Sequence, residues 1–344
     1  MNESNVDVVP APPSAPFRRR LSRAACVTSL LLLLAVTLAY LTRDDRVAAV
    51  TVFPPRAWSL PGIAVVWLAR RRTRKVALAV AALWLVYLAA MIDQPAALIG
   101  MLYRDFPDER WESTPAERRV RIVSLNCGSG SARAIAETAA YEPDIVLLQE
   151  SPGGTVVAEA ARELFGATAG HMSGADAAII VRGELVPDDS NDRNNLHSVQ
   201  ATVRLDSGAR LHVVSLRLEP PLVRLDLWSP DCWRAQTANR QLRRRQLVDV
   251  AKCFPPEDSP LPLIVGGDFN APPGDAVFDL LAPRLSDSFV AAGLGWGNTI
   301  TNVGPFTRID QVWISEDLAA TTVVARRTLY SDHRLVVADL LLSD

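Results

Sequence analysis

The chain has 344 residues, of which 49% are hydrophobic, and this is enough apolar sequence for a packed core in one large or two smaller domains. The whole chain has 36 Arg or Lys and 38 Asp or Glu. Residues 1–92 contain twelve of the basic and four of the acidic residues, a net charge of +8. Residues 93–344 therefore carry 24 basic and 34 acidic residues, a net charge of −10. The acidic part argues against a protein that binds DNA mainly through its phosphates, because such binding needs a basic surface.

A Pro-rich segment, "VVPAPPSAP", predicts a disordered cytoplasmic tail over residues 1–23. The next eighteen residues, 24–41, carry no charge, and as a helix they would be about 27 Å long, near the thickness of the hydrocarbon core of a bilayer. They predict a transmembrane helix. A cleavable signal peptide is the alternative interpretation, since basic residues precede the segment, but no small-x-small cleavage site follows it.

Residues 76–92 form a second uninterrupted apolar segment, whereas 47–69 contains three prolines and an arginine. The basic runs 18–23 and 70–75 are both expected to stay in the cytoplasm, and this requires the chain to cross the membrane twice between them. We therefore expect a membrane region, 24–92, with about three transmembrane helices. Whether the middle segment spans fully stays open at this point.

This topology places the amino terminus inside and the acidic domain outside a multi-pass protein of the cytoplasmic (inner) membrane. The lipid bilayer is then a partner, and no obligate protein partner is evident from the sequence. Polar and Pro-rich pieces predict a linker over residues 93–118, which leaves a soluble domain at 119–344.

Within the soluble domain, apolar runs alternate with segments of helical periodicity, which predicts a mixed α/β domain. The predicted strands are 120–125, 144–149, 177–181, 198–205, 210–218, 261–267, 308–315 and 334–342. The predicted helices are 131–141, 155–165 and 236–254.

The four cysteines contain no CxxC pair, which argues against a structural zinc site. A disulfide between Cys232 and Cys253 stays open if the domain is outside the cytosol. The basic run "NRQLRRRQ", 239–246, fits an exposed helix face better than a nucleic-acid groove. A groove would use Trp228 and Trp233 upstream for base stacking.

Polar residues follow several of the predicted strands. In α/β sheets, ligands commonly bind in the crevice at the ends of strands, so residues distant in the chain can meet there. Each residue alone also fits a turn former or a surface residue. The residues are Asn126, Glu150, Asp268, Asn270, Asp310, Asp332 and His333.

Together these segments resemble the endonuclease/exonuclease/phosphatase superfamily, also called DNase-I-like. The pieces occur in the order of that family and cover residues 120–342, and the amino-terminal layout resembles its membrane-anchored bacterial members. They are "SLN" with Asn126, "LLQE" with Glu150, "GGDFNAPP" with Asp268 and Asn270, "RIDQVWIS" with Asp310, and "SDHRLVVADL" with Asp332 and His333.

The resemblance implies a four-layer α/β sandwich, in which two packed mixed β-sheets are flanked by helices, preceded by the all-α transmembrane region. It also implies a hydrolase that cleaves a phosphate ester by water attack with Mg²⁺, or with Mn²⁺ as a substitute. Mg²⁺ prefers oxygen ligands and keeps several waters, so Glu150 is the expected metal ligand, with Asp332 as a second.

The resemblance assigns the remaining residues to the reaction. Asp268 would orient or deprotonate the attacking water, and Asn270 and Asn126 would hold phosphate oxygens or metal-bound waters. His333 would stabilise the transition state or move a proton. Asp310 would accept a hydrogen bond from the other ring nitrogen of His333.

One segment departs from the family. Many members carry a second histidine at the end of a middle strand, where this chain has "VVSLRLEPP" with Arg217. An arginine binds phosphate as a permanently charged fork but does not shuttle a proton. The expected function is therefore a membrane-anchored phosphodiesterase acting on nucleic acid, a phospholipid headgroup or a phosphorylated small molecule. The alternative is a catalytically silent, membrane-tethered module that binds a phosphorylated ligand.

Overall fold

The computed structural model describes residues 15–71, 73–103, 108–186 and 196–343. The chain divides into two compact units. The helical unit comprises Met1–Thr42 and Pro55–Ile92, and the α/β unit comprises Arg43–Pro54 and Asp93–Asp344. Most of the tail predicted over residues 1–23 lies outside the described residues, and so do Arg72 and residues 104–107.

The secondary structure follows the predicted alternation of helices and strands. The α-helices are α1 (Ala15–Thr42), α2 (Ala48–Thr51), α3 (Pro55–Ala69), α4 (Arg74–Met91), α5 (Gln94–Gly100), α6 (Glu109–Ser113), α7 (Ala132–Ala136), α8 (Gly154–Phe165), α9 (Pro230–Ala251) and α10 (Ser288–Ala292). The strands are β1 (Arg119–Asn126), β2 (Ile145–Gln149), β3 (Gly170–Ser173), β4 (Ala177–Val181), β5 (Gly183–Leu185), β6 (Ser198–Leu205), β7 (Arg210–Arg217), β8 (Leu263–Asp268), β9 (Ser286–Asp287), β10 (Asp310–Ile314), β11 (Leu318–Arg326) and β12 (Leu335–Leu342).

The helical unit is held together by close packing of α1, α3 and α4. Ser29 on α1 donates to the carbonyl of Gly62 at 2.9 Å, and Nε1 of Trp84 on α4 donates to the Ser29 hydroxyl at 3.0 Å. A Cβ atom at position 62 would lie 2.2 Å from the Trp84 ring. Glycine is therefore required where α3 meets this ring.

Two described helices, Pro16–Thr42 and Arg74–Met91, are long and apolar enough to cross a membrane. Only 33% and 22% of their most apolar stretches are buried, whereas the core helix of a soluble protein is mostly buried. The middle helix α3 has fifteen residues and contains Pro61, so it is about 22 Å long and shorter than the hydrocarbon core of about 30 Å.

The α/β unit contains two six-stranded mixed sheets, flanked by helices. The first has the strand order β11-β12-β1-β2-β4-β3, and the second has the order β5-β6-β7-β8-β10-β9. In the first sheet β1 pairs parallel with β2 and antiparallel with β12. In the second sheet β8 pairs parallel with β7 and antiparallel with β10.

The core follows from the alternation of side chains along the strands. Ile122 and Val213 face one side of their strands and join an apolar cluster formed by strands of both sheets. The next residue on each strand, Val123 or Val214, faces the other side and packs in a separate cluster, with α8 or α9 respectively. Both sheets are therefore covered on two faces, which explains why their central strands are continuously apolar.

All eight predicted strands are present, and four further strands were not predicted: β3, β5, β9 and β11. The predicted helix 131–141 is the short helix α7 followed by a 3-10 helix at Glu137–Tyr141. The predicted helix 236–254 begins six residues earlier, at Pro230, and ends at Ala251.

The segment predicted as a linker is built into the α/β unit. Nε2 of Gln94 donates to Oδ1 of Asn298 at 3.1 Å, and Asp93 forms an ion pair of 2.8 Å with the buried Arg308. Ala97 contributes to the core between the sheets. The segment Arg43–Pro54, which falls in the predicted membrane region, also belongs to this unit.

Helix α9 bears on two interpretations that the sequence left open. Cys232 lies in the first turn of this helix and Cys253 lies two residues beyond its end. Both cysteines are free, and about 30 Å of chain separates them, so they do not form a disulfide. The basic run is an exposed helix face only in part: Arg245 is exposed and Arg244 is half-buried, whereas Arg240 and Arg243 are each 1% exposed. Arg240 forms an ion pair of 3.2 Å with the buried Asp275.

Candidate active site

Three adjacent strands of the second sheet bring charged residues to the same edge. Asp268 is the last residue of β8, and its register partners are Arg217 at the end of β7 and Asp310 at the start of β10. Parallel strands β7 and β8 end together and the antiparallel β10 begins there, so the three side chains become neighbours through pairing alone.

Gly267 allows this close pairing. Its φ is +144°, and a Cβ atom at this position would lie 2.0 Å from the carbonyl oxygen of Leu216 on β7. Any side chain would push β8 away from β7 and would displace Asp268 with it. The glycine before Asp268 is thus a structural requirement of the site.

Asn126, fully buried at the end of β1, joins the two sheets. Its Nδ2 donates to Oδ2 of Asp268 at 3.0 Å and to Oε1 of Glu150 at 3.3 Å. Its Oδ1 accepts from the backbone N–H of Gly128 at 3.0 Å. A neutral amide holds the two carboxylates together here without adding a third negative charge.

Glu150 is held in a defined orientation just after β2. Its Oε2 accepts from the backbone N–H of Ser129 at 2.6 Å, and its Oε1 accepts from Nη2 of Arg217 at 2.8 Å. Burial alone would raise the pKa of Glu150, but the Ser129 hydrogen bond and the Arg217 charge outweigh it and the pKa is lowered. The carboxylate is therefore ionised at neutral pH, as a metal ligand must be.

Arg217 links two acids across the cleft. Its Nη1 donates to Oδ2 of Asp176 at 2.9 Å, while Nη2 bonds Glu150. Its Nε is buried and has no hydrogen-bond partner among the described residues. The guanidinium is thus fixed by two carboxylates and keeps a donor for a further oxygen ligand.

Asp268 is buried and keeps a proton more readily than an exposed aspartate. Burial, followed by the negative charge of Asp310, raises its pKa to about 7. The backbone N–H of Asn270 donates to its Oδ1 at 2.9 Å. Asn270 has a φ of +50°, and its Nδ2 donates to the Leu218 carbonyl at 2.8 Å, so its amide oxygen remains as an acceptor.

His333 and Asp310 form a buried dyad. Nδ1 of His333 lies 2.9 Å from Oδ2 of Asp310. Burial opposes protonation of the imidazole, but the charge and hydrogen bond of Asp310 outweigh it and raise the pKa of His333 to about 10. At neutral pH the ring is an imidazolium with two N–H donors. Nδ1–H donates to Asp310, and Nε2–H remains as the second donor.

The chemistry of the donor set fits a hard divalent cation. The ionised Glu150, which Asn126 bridges to Asp268, offers the carboxylate oxygens that Mg²⁺ prefers. The neighbouring group of Asp268, Asp310 and His333, whose ligand atoms lie within 4.8 Å of one another, contains an imidazolium, which cannot coordinate a metal. Asp332 is exposed, and its Oδ1 lies 3.2 Å from the position of a Cβ on Gly128, beside the turn that holds Glu150.

The site thus brings together Asn126, Glu150, Arg217, Asp268, Asn270, Asp310 and His333, with Asp332 at its border. The sequence-based prediction missed Asp176 and the Ser129 backbone N–H. Asp176 precedes β4 in "SGADAAIIV" and carries no motif of its own. Its pairing with Arg217 is a contact between chain-distant residues that no local pattern indicates.

The comparisons with known proteins agree with this geometry. The model of the Endonuclease/Exonuclease/phosphatase family matches residues 123–333, more than half of the chain. The chain belongs to this family. Members of the family generally hydrolyse phosphate esters, typically with a divalent metal ion.

Solved structures share the fold at low sequence identity. A conserved protein of unknown function from Enterococcus faecalis matches with a TM-score of 0.50 at 13% identity, covering 65% of this chain and 100% of that one. An endonuclease/exonuclease/phosphatase from Beutenbergia cavernae matches with a TM-score of 0.46 at 16% identity, covering 66% and 72%. A mannosyl-6-phosphatase from Bacteroides thetaiotaomicron matches with a TM-score of 0.46 at 14% identity, covering 65% and 100%. No curated protein matches the sequence significantly.

Proposed function

We propose that the chain is a membrane-anchored, Mg²⁺-dependent phosphodiesterase. The observation that carries this proposal is the buried cluster in which Asn126 joins Asp268 to Glu150 while Asp310 orients His333. A purely structural cluster has no need to bury acids and an imidazolium at one sheet edge, since each buried charge costs several kcal/mol unless it is paired.

Each residue has a role that its contacts support. Deprotonated Asp268 accepts a proton from the attacking water, because burial and Asp310 raise its pKa to about 7. The amide oxygen of Asn270 orients the same water, and the partly exposed guanidinium of Arg217 donates to a phosphate oxygen. His333, as an imidazolium, stabilises the charge that develops on the phosphoryl group or protonates the leaving oxygen.

Glu150 is the residue that would hold the metal ion, with Asp332 as a second ligand from across the turn at Gly128. A bound Mg²⁺ would neutralise charge on the phosphoryl oxygens. Because Arg217 bonds the same Oε1 that Asn126 contacts, the arginine also keeps Glu150 aligned toward the centre of the site. Mn²⁺, which accepts the same oxygen ligands, is expected to substitute.

Hydrolysis of bis-p-nitrophenyl phosphate by the full chain in detergent micelles tests the proposal. Turnover is expected with Mg²⁺ and is abolished by excess EDTA. Asp268→Ala and His333→Ala are each expected to lower kcat by about 100-fold or more, the usual effect of removing a general base or an electrostatic stabiliser.

Two exposed residues provide matched controls. Asp258→Ala and His171→Ala remove the same side-chain types from exposed positions and should leave the rate unchanged. If the folded protein binds phosphate but shows no metal-dependent turnover that Asp268→Ala removes, the chain is a silent binding module and the enzymatic proposal is wrong.

The membrane topology is a second part of the proposal. Helices α1 and α4 pass the length and composition criteria for a membrane span. The chain leaves the α/β unit after Pro54 and re-enters it at Asp93, which supports a hairpin of α3 and α4 that returns to the side it left. With α1 this gives three crossings, and the basic run at 70–75 lies on the cytoplasmic side with the amino terminus.

The predicted outcome is an extracytoplasmic α/β unit. Reporter fusions after residue 52 and after residue 343 should both be active only outside the cytoplasm, and a fusion after residue 71 only inside it. Opposite locations for the fusions at 52 and 343 would overturn the three-crossing arrangement.

A further inference from the structure

Large apolar side chains are exposed on the loop that connects β7 to α9, residues 219–229, here called the apolar loop. Val223, Leu225 and Trp228 are 73%, 74% and 85% exposed, and Leu222 is 42% exposed. Single exposed apolar residues are common on protein surfaces, but a cluster within one short loop indicates a surface that contacts a partner.

Two charges of the apolar loop cancel each other. Between Pro220 and Pro230 its charged residues are Arg224 and Asp226, and Nε of Arg224 donates to Oδ1 of Asp226 at 3.0 Å. Pairing lowers the cost of bringing both groups into a less polar environment. The loop therefore presents aliphatic side chains and one tryptophan, with Glu219 at its first position as the one charge that this pair does not balance, a composition suited to the interface of a bilayer.

Helix α9 holds the apolar loop in place. Nδ2 of Asn239 donates to the Pro220 carbonyl at 3.0 Å, and Nε1 of Trp233 donates to the Leu227 carbonyl at 2.8 Å. Gln236 donates to the carbonyl of Leu222. Because these contacts satisfy the backbone, the apolar side chains are exposed on an ordered loop.

The same turns of α9 hold the segment Arg43–Pro54. Thr237 donates to the Asp45 carbonyl at 2.9 Å, and Nη1 of Arg244 donates to Oδ2 of Asp45 at 2.9 Å. Arg240 donates to the carbonyl of Asp44 at 3.3 Å. Thr237 and Arg240 directly follow Gln236 and Asn239 in sequence, so the loop and the segment are attached at the same level of the helix.

We propose that the apolar loop inserts its exposed side chains into the surface of the lipid bilayer that anchors the protein. The segment Arg43–Pro54 continues at both ends into apolar helices, so in the anchored protein it lies next to the membrane. Helix α9 then keeps the apolar loop at that level. The inference rests on the proposed membrane anchoring and adds a second, peripheral contact with lipid.

The position of the loop relates this contact to the active site. The loop begins directly after Arg217 and Leu218, and the Leu218 carbonyl accepts from Nδ2 of Asn270. The loop therefore begins next to residues of the candidate site. A loop in contact with lipid would bring that site near the polar headgroup layer, where a phosphodiester carried by a lipid is accessible.

Quenching by lipids tests the insertion in the full chain. Leu225→Cys and, separately, Val223→Cys are made in a Cys253→Ser background, because Cys253 is partly exposed while the other three cysteines are buried. The protein is labelled with an environment-sensitive fluorophore and reconstituted in nanodiscs of phosphatidylcholine and phosphatidylglycerol that contain nitroxide-labelled lipid.

Asp206→Cys is the matched control, since the exposed Asp206 lies in the turn before β7 and the apolar loop follows the other end of this strand, about 26 Å away. Quenching at 223 and 225 is expected to be at least about threefold stronger than at 206, with a blue-shifted emission at both positions.

The possible results separate this inference from the anchoring on which it rests. If the protein resists extraction by alkaline carbonate but quenching at 223 and 225 equals that at 206, the anchoring stands and the insertion is overturned. A blue shift without quenching means that a protein surface, such as a second copy of the chain, covers the loop, which also overturns it. Extraction by carbonate overturns both.

Discussion

Asn126 shows how a single neutral side chain organises a cluster of charges. Its amide nitrogen donates to Asp268 and Glu150, and its amide oxygen accepts from Gly128. An aspartate at this position would place a third carboxylate against two others and would raise their pKa values. In the proposed mechanism, an asparagine is therefore the residue type that lets Glu150 stay ionised for metal binding while Asp268 serves as a base.

The arginine that replaces the family's second histidine depends on Asp176. We expect Asp176→Asn to lower kcat/KM by about tenfold, because loss of one charged partner, worth about 1.5–3 kcal/mol, lets the guanidinium leave the geometry in which it contacts phosphate. Arg217→Lys should cost more, since an ammonium cannot bridge two carboxylates as a fork. Steady-state kinetics with bis-p-nitrophenyl phosphate measure both effects.

Glu184→Gln provides the control for Asp176→Asn. It removes the charge of another acid paired with an arginine, Arg204, but this pair is mostly exposed, and such pairs contribute little. An Asp176→Asn enzyme with unchanged kcat and KM would show that Asp176 plays no part in positioning Arg217.

The pH dependence of activity is expected to follow Asp268. A general base acts in its deprotonated form, so kcat/KM should fall about tenfold per unit as pH decreases below the pKa of about 7. In Asp268→Asn the group that titrates is absent, and the decrease of the residual rate toward acid pH should disappear. If the decrease of kcat/KM toward acid pH stays in place, it is caused by a group other than Asp268.

At the scale of secondary structure, the contact between β7 and β8 determines the geometry of the site. Gly267→Ala is expected to destabilise the protein by more than about 2 kcal/mol, because the added methyl group overlaps the Leu216 carbonyl and φ is positive. Activity of the remaining folded protein should also fall, since Asp268 moves with β8. Thermal unfolding and kinetics measure the two effects separately.

Two other glycines separate the effect of the steric overlap from the effect of the positive φ. Gly208 has a φ of +91° and open space around its Cβ position, while Gly304 has no positive φ and its Cβ position lies 3.9 Å from the nearest atom. Gly208→Ala should therefore show only the backbone strain, about 1 kcal/mol, and Gly304→Ala should show no loss. Equal stability of all three alanine variants would contradict the proposed role of the β7–β8 contact.

The sequence predicted central strands better than edge strands, for a physical reason. Strands buried on both faces are rich in apolar residues, as in IVLLQ of β2 and AAIIV of β4. Each predicted strand lies within two residues of its observed ends. Strand β11, at the edge of the first sheet, is rich in Ala and Thr and has a register shift between Ala320 and Thr322. Neither a continuous apolar run nor a regular alternation indicates such a strand.

The candidate site was predictable to the extent that its residues lie in motifs. Asp268, Asn270 and His333 directly follow or precede a recognisable strand. Asp176 has no motif, and its contact with Arg217 joins residues on different sheets. The positive φ of Glu150, which turns its side chain toward Ser129, is likewise a consequence of tertiary packing, because an isolated glutamate avoids this conformation.

At the scale of the whole molecule, the chain passes between its two units three times. Residues 43–54 lie between apolar helices in sequence, yet Thr51 contacts the buried Arg240, and Asp45 pairs with Arg244. Composition assigned this segment to the membrane region, since contacts between residues about 190 positions apart leave no local signal. The catalytic unit is therefore discontinuous in sequence.

A soluble version of the catalytic unit tests this discontinuity. We expect a chain in which residues 43–54 are joined to residue 93 by a flexible Gly/Ser linker to have a higher Tm than a chain that starts at residue 93. The shorter chain leaves the buried Arg240 without its contacts to Asp44 and Thr51. Loss of about 3 kcal/mol corresponds to about 6–12 °C for a unit of this size.

A variant of the joined chain shows whether the contacts, and not the added length, cause the difference. Asp45→Asn together with Thr51→Val keeps the length of the segment but removes the ion pair of Arg244 and the hydroxyl that Arg240 contacts. Arg240 keeps the Asp44 carbonyl and Asp275 as partners, so this variant should lose part of the gain in Tm. If both joined chains and the shorter chain unfold at the same temperature, residues 43–54 do not stabilise the catalytic unit.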